Sequence, residues 1–297
     1  MLKNRIMLAI QTDKLSKYYG KHLGIKNATL EVEEGEVFGF IGPNGAGKST
    51  MIRTLLGLLI PSSGSAKIFG MDINTQGVEI RKQIGYLPSE VNYYDEMSPR
   101  ELLEYHSRFY GEVNHAEIER LAKHFELDLD KLITDLSFGN KKKCAIIQSV
   151  LHSPKLLIMD EPTSGLDPLM QNRFFELLEE QNKKGVTIFF SSHILSEIQR
   201  MCDKAAIIRM GEITAIEDIN ALLKKQMKKG CFLFKKKPDN LNYPEGMQQE
   251  QWHNEKLTFK YVGPINILIE WMGQLDLVDA VLEEPDLESI FMNYYER

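Results

Sequence analysis

Eight consecutive residues have the types and spacing that bind a phosphate group. Gly42-Pro43-Asn44-Gly45-Ala46-Gly47-Lys48-Ser49 fits the pattern G-x-x-x-x-G-K-[ST] between an apolar run and a helical pattern. The glycines allow backbone N–H groups to turn toward phosphate oxygens, and the start of the helix adds its dipole. Lys48 is expected to reach β- and γ-phosphates, and Ser49 to bind Mg²⁺.

Two carboxylates and a histidine follow other apolar runs. Asp160 and Glu161 come directly after Leu156-Leu157-Ile158-Met159, and His193 follows Ser191-Ser192. Asp160 can hold the magnesium shell, while Glu161 can polarise an attacking water. A lone histidine at a strand end is commonly a structural hydrogen-bonding group, but its place at the same sheet edge favours contact with a γ-phosphate. Together with the phosphate loop, these residues predict metal-assisted phosphate hydrolysis.

The elements that must position these residues are short apolar strands alternating with helical patterns. This alternation predicts an α/β fold with a largely parallel sheet, in which ligands bind at the carboxyl ends of the strands. The predicted strands span 37–41, 156–159 and 186–190, and an apolar helical stripe before Pro61 contains Ile52, Leu55, Leu56 and Leu59.

The pattern between residues 98 and 127 is helical only. Ser98-Pro99-Arg100-Glu101 combines an N-cap residue, a proline at the first helical position and a capping glutamate. A second helix is indicated by Ile118, Leu121, Ala122 and Phe125. These helices predict an all-helical insert within the α/β layer.

The pattern changes after Gly211. Residues 216–297 are expected to form a separate small α+β domain. Its predicted elements are a lysine-rich helical stretch at 217–230, strands at 231–234 and 257–262, and helices at 265–272 and 287–294.

Composition excludes several classes of protein. The chain has 297 residues, a formal net charge of -6 and no global basic excess, so no nucleic-acid partner is expected. Three widely separated cysteines fit a reduced protein better than a disulfide framework or a metal site. There is no apolar stretch of roughly 18 residues and no signal-peptide pattern, so any membrane role must come through a partner.

The stretch Leu136-Ser137-Phe138-Gly139-Asn140 precedes three lysines, Lys141 to Lys143, at the start of an apolar helix that ends before Pro154. Cations at a helix N-terminus are each disfavoured by roughly 0.3 to 1 kcal/mol. The lysines are therefore either a solvated helix end or part of a surface against which a strongly charged anion docks.

With these motifs in order, residues 8 to 213 resemble the nucleotide-binding subunits of ABC transporters. The resemblance rests on the phosphate loop at 42–50, the helical insert, the signature-like stretch 136–140, Asp160-Glu161, the D-loop-like stretch 164–167 and His193. It implies a P-loop NTPase fold with ATP and Mg²⁺ bound. In this family two such domains pair head to tail, so the docking anion would be the partner's ATP, with Lys141 to Lys143 in its field.

The resemblance also implies a role for each matching residue. Lys48, Glu161 and His193 would be catalytic, and Ser49, Asp160 and Ser89 would hold the metal. Tyr19 would stack on adenine, although a buried sheet tyrosine and the neighbouring Tyr18 remain alternatives. The nucleotide-binding set is Tyr19, Asn44, Gly45, Gly47, Lys48, Ser49, Thr50, Ser137, Gly139 and Asp167.

Two positions depart from the family pattern. The signature usually reads L-S-G-G-Q, so Phe138 and Asn140 are substitutions, while Ser137 and Gly139 are retained. Ser89 stands where the family has glutamine, and it is too short to span the same gap to magnesium and water. Either Glu90 compensates for that difference or the site hydrolyses ATP slowly.

The C-terminal domain, which ends in Leu287-Glu288-Ser289-Ile290-Phe291, resembles the extension of bacterial ABC-2-type exporter ATPases, although a private regulatory or dimer-stabilising domain is the alternative. The chain is therefore expected to be an ATPase subunit of such an exporter at the cytoplasmic face of the cell membrane. Residues 1–215 would form the ATPase domain, with the insert at about 90–150, and a separate permease would span the membrane. The second nucleotide-binding domain would be an identical or a different chain. The alternatives are a weakly hydrolysing half of a heterodimer and a soluble non-transport ABC ATPase. Tyr93 and Tyr94 either pack on a partner helix or belong to the insert core.

Overall fold

The computed structural model describes residues 7–93, 96–219, 221 and 227–283. The chain divides into two compact units, residues 1–216 and 217–297. Within the described ranges, none of the helices combines the length and apolar character needed to cross a bilayer.

The first unit is built on a six-stranded sheet. Its strand order is β10-β9-β3-β8-β7-β6, and the five strands from β9 to β6 run parallel. The strands are β3 (Val37–Ile41), β6 (Ile84–Leu87), β7 (Leu156–Asp160), β8 (Thr187–Ser192), β9 (Lys204–Arg209) and β10 (Glu212–Asp218). Every residue of β3, β7 and β8 is buried, as their continuous apolar runs predict.

A second, antiparallel sheet has the strand order β2-β1-β4-β5. Its strands are β1 (Leu8–Tyr19), β2 (His22–Glu33), β4 (Ser63–Ile68) and β5 (Met71–Asp72). Residues of both sheets share one apolar core with the first helix, which contains Ile10, Leu30, Phe38, Ile52 and Phe189. Ala46, in the loop between β3 and that helix, belongs to the same core.

Seven α-helices are described in the first unit. They are α1 (Lys48–Leu55), α2 (Gly77–Arg81), α3 (Pro99–Ser107), α4 (His115–Phe125), α5 (Phe138–Val150), α6 (Pro168–Lys183) and α7 (Leu195–Met201). The predicted capping box at Ser98 and Glu101 is present at the start of α3. The predicted extension of α1 to Pro61 is wrong, because Gly57 is left-handed (φ 68°) and the helix ends before it.

The described part of the second unit contains an antiparallel sheet and a helix that follows Pro264. Its strand order is β12-β13-β11-β14, with β11 (Met227–Phe234), β12 (Met247–His253), β13 (Lys256–Val262), β14 (Leu277–Glu283) and α8 (Ile265–Met272). Its core contains Phe232, Phe259, Tyr261, Leu268 and Trp271.

The prediction of a lysine-rich helix at 217–230 is wrong at both ends of that range. Residues 217 and 218 continue β10, and residues 227–230 open β11, which pairs with β13 and β14. Strand pairing there overrides the helical preference of lysine. Residues 222–226 and the helix predicted at 287–294 lie outside the described ranges.

Candidate functional site

The phosphate loop joins β3 to α1 at the carboxyl edge of the parallel sheet. Gly45 and Gly47 have φ angles of 78° and 112°, which side chains disfavour. A Cβ atom at Gly47 would also collide with the carbonyl oxygen of Gly24. Position 47 therefore requires glycine, both for its backbone conformation and for its close packing. A loop of this shape can curl around an anion.

Lys48 places its ammonium group at the centre of this loop. The side chain is 5% exposed, and Nζ lies 3.2 Å from Oε1 of Glu161. The same Nζ donates to the carbonyl oxygens of Gly42 (2.7 Å) and Pro43 (3.1 Å). A phosphate group in the loop would meet a positive charge already oriented by these contacts.

Asp160 has a buried carboxylate in which one of the two oxygens has no hydrogen-bond partner. It is 1% exposed, and Oδ1 accepts a hydrogen bond of 2.7 Å from Oγ of Ser191. Its other oxygen, Oδ2, is buried with no hydrogen-bond partner, which is costly for a carboxylate unless a cation binds it.

Ser49 lines the cleft, as does Glu161, the residue after Asp160. Hydroxyl and carboxylate oxygens are ligands that Mg²⁺ prefers. The described residues contain no cluster of three or more His, Cys, Asp or Glu side chains able to hold a metal. Mg²⁺ typically binds through one or two protein ligands together with phosphates and water. The residues present therefore fit Mg²⁺ accompanying a nucleotide.

Glu161 is held by contacts on its backbone and its side chain. It adopts a left-handed conformation (φ 45°), and its N–H donates to Oγ of Ser191 at 3.1 Å. Its Oε1 lies 3.4 Å from Nδ1 of His193, which is about half exposed. The carboxylate thus lies between the positive charge of Lys48 and a histidine that can hydrogen-bond.

A cleft of about 870 Å³ opens in front of these groups. Of the residues expected from the sequence, it is lined by Tyr19, Asn44, Gly45, Gly47, Lys48, Ser49, Thr50, Ser89 and Glu161. Ser137, Gly139, Asp160, Asp167 and His193 are not in its lining. Asp160 is instead buried at the end of β7, and His193 contacts the site through Glu161.

Ser137 and Asp167 both cap helices. Oγ of Ser137 accepts from the N–H of Asn140 at 3.3 Å at the start of α5, and Asp167 accepts from Met170 at 3.0 Å at the start of α6. The ring of Phe138 packs against Gly165 and is still 52% exposed. Phe138, one of the two substituted residues of the signature-like stretch, therefore packs the start of α5 against the loop that precedes α6.

The three lysines at the start of α5 have different surroundings. Lys141 lines the cleft, whereas Lys142 is fully buried and Lys143 is partly exposed. Nζ of Lys142 donates to carbonyl oxygens of its own chain. Lys142 is therefore held by its own chain, and the expectation that the three lysines lie in the field of a partner's ATP stays a prediction.

Two functional residues were missed in the sequence. Ser191 hydrogen-bonds both Asp160 and Glu161, as described above. Glu197, which is 6% exposed, accepts hydrogen bonds of 2.6 Å from Thr163 and Ser192. Its position four residues after His193, in the first turn of the helix that follows the strand end, was the available signal.

Tyr19 and Tyr18 occupy different environments. Tyr19 lines the cleft, with its hydroxyl 3.4 Å from Oγ1 of Thr50, and is 44% exposed. Tyr18 is 40% exposed and does not line the cleft. Neither ring is a buried sheet tyrosine, and Tyr19 alone presents a ring to a ligand.

Residues 25–164 match the family described as ABC transporter. The chain is 38% identical over 195 residues to the ABC transporter ATP-binding protein NatA of Bacillus subtilis (strain 168), covering 64% of this chain and 79% of that protein. It is 36% identical over 225 residues to the bacitracin transport ATP-binding protein BcrA of Bacillus licheniformis, covering 74% and 72%. The chain belongs to the ABC transporter family. It is an ATP-binding subunit and an ATPase.

A solved structure described as the ATP-binding subunit of an ABC transporter is 33% identical. It superposes with a TM-score of 0.67 over 73% of this chain and 92% of that chain. The predicted P-loop NTPase fold is confirmed. The predicted membership of the ABC-2 exporter type is also confirmed by the relatives.

Replacing Tyr19 with alanine is expected to weaken ATP binding by about tenfold, because base–aromatic stacking contributes roughly 1–3 kcal/mol. Isothermal titration with ATP and Mg²⁺ measures the change in Kd. Tyr18→Ala is the matched control and should leave Kd near that of the parent. An equal loss in the two variants would show that Tyr19 has no special role.

Proposed function

We propose that this chain powers export by ATP-driven, head-to-tail dimerisation coupled to a separate membrane-spanning subunit. The catalytic part of this proposal rests on the position of Glu161 at the cleft. Its Oε1 lies 3.2 Å from Nζ of Lys48 and 3.4 Å from Nδ1 of His193. A base in this position can orient a water toward a γ-phosphate held in the glycine loop.

Each polar group of the site has a separate task in this proposal. Glu161 orients or deprotonates the water, while Lys48 and His193 stabilise the charge that develops on the transferred phosphoryl group. Ser49 and Asp160 would hold Mg²⁺, with Ser89 at the cleft wall. Bound Mg²⁺ neutralises phosphate charge.

The positions of Ser137 and Gly139 support a dimer. Both lie at the start of α5, where backbone N–H groups favour an anion, and neither lines the cleft of its own chain, although Phe138 between them does. Ser137 is exposed. A second nucleotide-binding domain, identical or different, would bring this helix start to a γ-phosphate in the first cleft, so two ATP molecules would join the two domains.

A groove of about 630 Å³ next to the insert is a docking surface for the membrane subunit in this proposal. Its exposed aromatic residues include Tyr105 (44%) and Phe109 (69%). Tyr93 lines the same groove, but its hydroxyl donates to Gln148 at 3.1 Å and its ring is partly buried. Tyr94 lies outside the described residues.

A permease helix is the proposed occupant because aromatic rings around an apolar groove suit an amphipathic helix. The relatives described as transport proteins support a permease partner, which would hold this chain at the cytoplasmic face of the membrane.

Glu161→Gln is expected to bind ATP like the parent but to lower turnover by at least about 100-fold, because general base catalysis contributes roughly 10²–10⁴-fold. With ATP and Mg²⁺ this variant should persist as a dimer in size-exclusion chromatography with light scattering. Glu179→Gln, at an exposed position on α6, is the control. Parental turnover in Glu161→Gln would remove Glu161 as the base.

Phe109→Ala is expected to lower transport in vesicles severalfold while the ATPase rate of the chain alone stays unchanged, since Phe109 lies in the groove and outside the ATP cleft. Transport and co-purification with the permease are both measured. Val78→Ala removes another exposed apolar side chain (61% exposed) and serves as the control. Parental transport by Phe109→Ala would place the docking surface elsewhere.

A further inference from the structure

Lys142 is a buried cation whose only hydrogen bonds in the described structure go to backbone carbonyls. Its side chain is fully buried near the start of α5. Nζ donates to the carbonyl oxygens of Pro88 (2.9 Å), Ser89 (3.2 Å) and Glu161 (3.4 Å). An ammonium group has three N–H donors, so these three carbonyls satisfy all of them.

Burial of this charge carries a cost that packing alone does not explain. Removal from water lowers the pKa of Lys142 to about 8, although the nearby charges of Asp160 and Glu161 oppose that shift. No acidic side chain in the described ranges forms an ion pair with it. A methionine would fill similar space without the desolvation cost, so the hydrogen bonds are the specific contribution of a lysine.

The contact with Glu161 falls on a strained residue. Its left-handed backbone (φ 45°) is uncommon outside glycine, asparagine and aspartate, and such a conformation persists where neighbouring groups hold it. Ser191 accepts a hydrogen bond from the N–H of Glu161. The carbonyl oxygen of Glu161 accepts from Lys142 and also from the N–H of Ser164 at 3.2 Å. The peptide groups on both sides of Glu161 are thus anchored, and this sets the direction of the carboxylate.

The other two contacts fall on the loop after β6. Pro88 lines the groove that contains Tyr105 and Phe109, and Ser89 lines the cleft in front of the phosphate loop. The ammonium group of Lys142 therefore connects the start of α5, the loop after β6 and the backbone of Glu161.

We propose that Lys142 is a positioning residue for ATP hydrolysis: its ammonium group holds Glu161 in its left-handed conformation and ties it to the Ser89 loop. This inference rests on the proposed role of Glu161 as the base. Lys142 itself does not line the cleft, so it acts on turnover through Glu161 and leaves nucleotide affinity unchanged.

The test compares Lys142→Met with the parent in the full-length chain. We expect kcat for ATP to fall at least about tenfold, since a 1 Å misplacement in an active site can cost roughly 100-fold. The Kd for ATP with Mg²⁺ should stay within about twofold of the parent, as expected for a side chain outside the cleft. Amide hydrogen exchange should rise at residues 88–91 and at Glu161. Lys142→Arg, which keeps a cationic donor, should retain more turnover than Lys142→Met.

Lys155→Met is the matched control, because Lys155 is exposed and precedes β7, at the opposite end of that strand from Asp160 and Glu161. It should change neither kcat nor exchange. If Lys142→Met does not fold, Lys142→Gln takes its place, with partial loss of kcat at parental Kd expected. Parental kcat in the folded variant would overturn the inference.

A double variant separates this inference from the proposed function. If Lys142 acts through Glu161, adding Lys142→Met to Glu161→Gln should lower single-turnover hydrolysis by less than about twofold. The same loss in both backgrounds would refute the positioning role. Parental turnover in Glu161→Gln alone would instead refute Glu161 as the base, whatever Lys142 does.

Discussion

One positive charge, the ammonium group of Lys48, connects the phosphate loop after β3 to the carboxylate that follows β7. It is almost fully buried, held by the carbonyl oxygens of Gly42 and Pro43 and by the carboxylate of Glu161. A buried ammonium needs such partners, because an uncompensated charge would be costly. A triphosphate supplies several negative charges in the same loop, so nucleotide binding and the placement of Glu161 are linked through one side chain.

Around this charge, buried polar groups hydrogen-bond the carboxylate of Asp160 and the backbone of Glu161 without lining the cleft. Ser191 joins Asp160 to Glu161, and Glu197 joins Thr163 to Ser192 beside the histidine. In a low-dielectric interior each satisfied hydrogen bond resists displacement, and each broken one leaves a costly unpaired group. The strand ends therefore behave as a rigid frame, and the side chains facing the cleft are the groups left to meet a ligand.

The sequence was sufficient for the parts of this site that short-range chemistry determines. The phosphate loop needs glycines at left-handed positions, and the apolar runs 37–41, 156–159 and 186–190 predict strands that the structure contains. The antiparallel sheet was missed. β1 pairs locally with β2, but its other partner, β4, lies some fifty positions further along the chain. Pairing of that kind leaves no local period to detect.

The burial of Lys142 could not be predicted for a similar reason. It shares a helical turn with Lys141 and Lys143, and only the loop after β6 and the end of β7 distinguish it.

The role of Ser137 and Gly139 depends on a second domain, and a structure of Glu161→Gln with ATP and Mg²⁺ tests it most directly. Our account predicts residues 137–139 of the second domain within hydrogen-bond distance of the γ-phosphate held by Lys48. A closed, ATP-bound dimer with that stretch turned away from the triphosphate would contradict it.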